Sequence, residues 1–104
     1  MKTTMNNIVN LAIQVLPESK EKHPYDIVDS AIEIIQKSGV KYKVCPFETV
    51  IEAPVDKALE LVKQIQEKCY REGAENLMTY IKIQSSAKQD VFIEGKMKKY
   101  ESNS

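Results

Sequence analysis

Glu48 and Glu52, with Thr49 between them, are the residues of this sequence best placed for chemistry. They stand in the stretch Cys45–Pro54, CPFETVIEAP. Read as a strand, it turns Phe47, Thr49 and Ile51 to one side and Glu48, Val50 and Glu52 to the other, because successive side chains alternate across the pleat. Two acids on one strand face suit a solvated surface, a cation or a hydrogen-bond donor, and an acid pair is also equipment for proton transfer. Tyr80 offers a ring for stacking, and Thr49 or Thr79 a hydroxyl that orients polar groups. Taken singly, each of these residue types more often serves structure or solubility. A carboxylate that becomes buried needs a partner, and Lys82 is the candidate across the sheet.

The common enzyme signatures are missing. There is no Gly-rich phosphate loop, no nucleophile elbow and one histidine, His23, which reads as a solvated loop residue or helix cap. Cys45 and Cys69 are far apart and lack metal-ligand spacing, so neither a metal nor a cofactor is expected. Cys69 falls on an apolar helical stripe and reads as a core residue, with Cys45 more exposed at a turn. Two lone thiols and no secretory pattern fit a reduced, cytoplasmic setting. Fifteen basic and fifteen acidic residues cancel without forming a basic stripe, which disfavours nucleic acid. No apolar run approaches the ~20 residues needed to span a bilayer, so no membrane partner is expected.

The elements that must position these residues follow from periodicity. Ile8–Leu16 alternates with a period of two and reads as a first strand ended by Pro17. After the loop ESKEKH, Pro24 suits a first helical position, Asp26 favours the positive end of the helix dipole, and Ile27, Val28, Ala31, Ile34 and Ile35 recur at helical spacing. Gly39 stops that helix. VKYKV forms a second strand, turning near Cys45 and Pro46 into the strand that carries the two acids. Pro54 is expected to open a second helix with Ala58, Leu61, Val62, Ile65 and Cys69 on its apolar stripe and Gly73 at its end. NLMTYIKIQ gives a fourth strand, and VFIEGKMKKY a short C-terminal helix weakened by Gly95. The tail ESNS is expected to be disordered.

The order strand, helix, strand, strand, helix, strand is the split βαβ pattern of an α+β, ferredoxin-like two-layer sandwich. The whole chain, residues 1–104, is expected to be one domain with a core over about residues 6–100. Right-handed crossovers put both main helices on one face of a four-stranded antiparallel sheet and leave the other uncovered. Asn10, Gln14, Glu48, Glu52, Tyr80, Lys82 and Gln84 gather there. Ala12, Leu16, Val50 and Met78 make that face too apolar for water alone, and packing between symmetric copies is the simplest cover.

The ordering of NLAIQVLP, SGVKYKVCPFETVIEA, ALELVKQIQEKCYREGAENLMTYIKI and GKMKKY resembles the small thiamine-binding protein family related to YkoF, also described as the MTH-type ferredoxin-like family. The similarity spans roughly Ile8 to Tyr100. Its most specific part has the family pattern G-(V/L)-x-Y-x-(V/L)-x-x-x-x-T-x-(I/L)-E, supplied here by Gly39, Tyr42, Thr49, Ile51 and Glu52. The resemblance implies a subunit of a dimer or tetramer that binds thiamine or its hydroxymethylpyrimidine portion without chemical turnover. On that basis the ligand-binding set is Glu52 as acceptor, Thr49 and Thr79 as orienting hydroxyls, Gln14 as amide partner and Tyr80 as stacking surface. The alternatives are a structural or regulatory oligomer with no small-molecule ligand, and a small ferredoxin-like enzyme using the acid pair.

Overall fold

The computed structural model describes residues 7–101. Four strands and three helices follow in the order β1 (Ile8–Glu18), α1 (Pro24–Lys37), β2 (Lys41–Val44), β3 (Thr49–Pro54), α2 (Val55–Arg71), β4 (Asn76–Gln84) and α3 (Ile93–Glu101). The strands form one antiparallel sheet in the order β2-β3-β1-β4, so each long crossover skips one strand, as the ferredoxin-like split βαβ arrangement requires. Of the tail expected to be disordered, Glu101 ends α3, and residues 102–104 lie outside the described residues.

Residues at the helix ends fix where α1 and α2 begin and stop. His23 caps α1, its Nδ1 accepting the Tyr25 N–H at 3.1 Å, while Pro24 occupies the first turn. Gly39 and Gly73 follow the two helices with φ of +85° and +110°, where a Cβ would be strained. At Gly73 the reversal lets the Ala74 N–H reach back to the Cys69 carbonyl at 3.0 Å. Between the helices and the sheet lies the core, with Leu11, Ile27, Ile35, Ile51, Leu61, Ile65 and Cys69 fully buried. Among the described residues no helix is long and apolar enough to cross a membrane.

Three expectations from the sequence are corrected. Pro17 does not end β1; the strand runs on to Glu18, with Pro17 opposite Leu77 of β4. Pairing of β1 with β3 stops at Ile13, so by Pro17 the β3 side is a free edge, and a missing N–H costs nothing there. The acidic stretch is strand only from Thr49, because Cys45–Glu48 forms the hairpin turn, closed by the Cys45 N–H to the Glu48 carbonyl at 2.9 Å. Pro54 is the last residue of β3 and the N-cap of α2, which begins at Val55.

The face away from α1 and α2 is also partly covered. The segment before α3 returns across it: the Val91 N–H donates to the Ile8 carbonyl at 2.9 Å, and the Asn10 Nδ2 donates to the Val91 carbonyl at 2.9 Å. The Ile93 N–H, at the start of α3, donates to Glu52 Oε1 at 2.7 Å. Asn10 and Glu52, opposite one another in register, are therefore only 3% and 9% exposed despite lying on the outer face.

Candidate functional site

Where β3 stops pairing, a groove opens. The last β1–β3 partners are Ile13 and Thr49, after which the hairpin turn diverges and Gln14–Leu16 have no strand neighbour on that side. The resulting cavity, about 480 Å³, lies between the free edge of β1, the turn from Val44 to Thr49, and the face of α1 from Tyr25 to Ile35. Its floor is apolar, from Ile13, Val15, Val28 and Ile35. Tyr25 and Phe47, 73% and 81% exposed, stand at its walls.

The edge of β1 supplies polar groups to this groove without any side chain. Each residue of an antiparallel strand directs its N–H and C=O to one side, and the side alternates along the chain. The Glu18 carbonyl faces β4, where it accepts the Glu75 N–H at 2.7 Å. By alternation Val15 directs its N–H and C=O the other way, toward the groove. A donor and an acceptor from one residue are thus presented side by side above an apolar floor, the combination that reads a planar heterocycle with a matching acceptor and donor.

The five side chains expected from the sequence to bind ligand are divided by the structure. Gln14 and Thr49 both line the groove, and Thr49 is buried. Tyr80, on β4, is the cross-strand neighbour of Gln14 and half exposed on the outer face. Glu52 lies elsewhere, beneath α3, where it lines a different cavity of about 350 Å³ between α3 and β2, together with Lys41 and Lys43. Thr79 points to the helix-covered face, its hydroxyl accepting from Gln66 Nε2 on α2.

The two acids also part company. Glu52 is the buried one, and its partner is the Ile93 backbone at the positive end of α3, not Lys82. Lys82 instead reaches Glu48, Nζ to Oε1 at 3.1 Å. Glu48, in the turn, is the acid among the residues that line the groove, and its carboxylate is turned toward Lys82 on the outer face. Tyr25, Phe47 and the Val15 backbone were not singled out by the sequence; the visible signal was the proline and aromatic in CPFE, which marks a turn unable to continue the ladder.

Comparison with known proteins gives consistent results. The family model described as thiamine-binding protein matches residues 11–101. A UPF0045 protein of Clostridium perfringens (strain 13 / Type A) is 40% identical over 91 residues, 88% of this chain and 95% of that protein. Among solved structures, a Bacillus cereus domain of unknown function, DUF77, is 39% identical with a TM-score of 0.89, covering 95% of each chain. A Thermotoga maritima protein proposed to act in thiamine biosynthesis or salvage is 28% identical with a TM-score of 0.81, covering 89% of this chain and 98% of that one.

Proposed function

The chain belongs to the thiamine-binding protein family, and on that premise we propose that it is a cytoplasmic, non-catalytic binding protein for thiamine or its hydroxymethylpyrimidine portion, working as a homo-oligomer, a dimer or tetramer. The observation that supports this reading best is the groove beside the free edge of β1. An aminopyrimidine carries a ring nitrogen that accepts and an adjacent amine that donates, complementary to the Val15 N–H and C=O. Gln14 and Thr49 also line the groove, one carrying an amide and the other a hydroxyl. Tyr25 and Phe47 supply aromatic surface for a planar or cationic ring. The two acids each have a partner of their own, which leaves them without the shared arrangement that paired acid–base catalysis uses.

Titration calorimetry with thiamine and with hydroxymethylpyrimidine tests the proposal. Binding must also raise the melting temperature, since a ligand at 100 times its Kd stabilises the native state by about 2.7 kcal/mol. No heat and no thermal shift with either compound at millimolar concentration removes the reading.

A second reading, a structural or regulatory oligomer without a small-molecule ligand, draws on one observation. Leu16, Met78 and Tyr80 adjoin on the outer face of the sheet and are each about half exposed. It predicts that Tyr80→Glu breaks the assembly and that neither compound changes stability. A wild-type monomer in light scattering contradicts it.

A further inference from the structure

We propose that Glu48 is the carboxylate that reads positive charge in the groove, and that Lys82 is its positioning residue and the built-in cation a charged ligand must displace. This rests on the thiamine reading above and adds to it the choice between a charged and an uncharged ligand. Thiamine carries a thiazolium cation, whereas its hydroxymethylpyrimidine portion does not.

The geometry assigns these roles. Glu48 closes the hairpin turn through its own carbonyl, so its backbone is held while its side chain stays 30% exposed at the groove. Lys82 is on β4 and must cross β1, two strand spacings or about 10 Å, to reach it. Its Cα partner on β1 is Ala12, the smallest side chain of that strand, which leaves room for a lysine stem to lie across it. At 73% exposure the Lys82 side chain contributes little to folding through this pair, because screening and lost side-chain freedom offset most of the attraction. Its effect is local: it fixes the direction of the Glu48 carboxylate and neutralises it. Tyr25 and Phe47, on the walls of the same groove, are a second and independent feature that favours a cation, since the ring faces are negative. Among the described residues that line the groove, Glu48 is the one with a charged side chain.

A ligand cation entering the groove competes with Lys82 for Glu48, and a neutral ligand does not. Lys82→Gln is therefore expected to tighten thiamine binding by about two- to fivefold, the range of an exposed ion pair, while leaving hydroxymethylpyrimidine unchanged. The gain should shrink as salt is raised, because both competitors are screened. Lys82→Arg keeps the competing charge and is expected to restore the wild-type ratio of the two affinities. Glu48→Gln should weaken thiamine alone. Calorimetry of the wild type and these three variants with both compounds decides the matter, with circular dichroism and melting curves confirming that each variant folds. Parallel changes in the two affinities, or none in any variant, overturn the assignment of charge reading to Glu48 and Lys82 while leaving the thiamine reading intact. If the wild type binds neither compound, the thiamine reading falls and this inference with it.

Discussion

The structure gives the chain's few reactive groups different duties according to what surrounds them. Burial pushes the Cys69 thiol up, so it stays protonated and shielded in the core, whereas Cys45 is partly exposed at the hairpin turn. A thiol reagent is expected to modify one cysteine, Cys45, in the native protein and the second only after unfolding; two fast thiols without denaturant contradict the buried position of Cys69. Glu52 shows how burial can redirect a residue. Its alternation in sequence put it on the outer face, where it does lie, yet the returning segment before α3 covers it and supplies the Ile93 N–H. Removing an acidic cap of this kind costs about 0.5–2 kcal/mol. Glu52→Ala is thus expected to lower stability by that order and to speed hydrogen exchange at Ile93, with exchange in β1 little changed.

At the scale of elements, caps and edges decide the boundaries. His23→Ala removes the acceptor for the Tyr25 N–H and is expected to destabilise α1 by about 1 kcal/mol, read from urea unfolding. Gly73→Ala forces a side chain into φ of +110° and should cost at least as much, although the nearest atom to the new Cβ is a comfortable 3.7 Å away. An unchanged midpoint for Gly73→Ala contradicts the strain. Both helices were legible in the sequence because Pro24, Asp26, Gly39 and Gly73 are local signals that act on their own neighbours. The groove was not, because it depends on where β1 and β3 part, and that point is set by pairing between residues 36 apart, Ile13 and Thr49. Pro17 misled for the same reason: proline opposes a strand only where its N–H is needed, and which edge lacks a partner is a property of the sheet. Gln14 and Thr49 were chosen from opposite faces, and the free edge is what lets both reach one cavity.

For the whole molecule, surface ion pairs tie elements together and make stability depend on acid. Hydrogen bonds from Lys22 and Lys68 hold the Glu72 carboxyl below the usual carboxylate range, and Lys37 does the same to Glu33. Lys22 precedes α1 and Glu72 follows α2, so that pair joins the ends of the two helices at 2.9 Å. A carboxyl with a lowered folded-state pKa contributes stability that is present above its unfolded value, about 4.3, and lost as pH falls through the lower folded value. The urea midpoint is therefore expected to drop on acidification below about pH 4, and Glu72→Gln to flatten that slope modestly, since the pair is at the surface. An identical slope in the variant contradicts the linkage. At the same scale, the β1 edge, the hairpin turn and α1 form a binding groove only as an assembled fold. The most direct test is amide chemical-shift mapping of the labelled protein titrated with thiamine. The largest changes are predicted at Gln14, Val15 and Leu16 and through the turn from Val44 to Thr49. No saturable change, or changes confined to the Glu52–Ile93 junction and Thr79, would contradict binding at this edge.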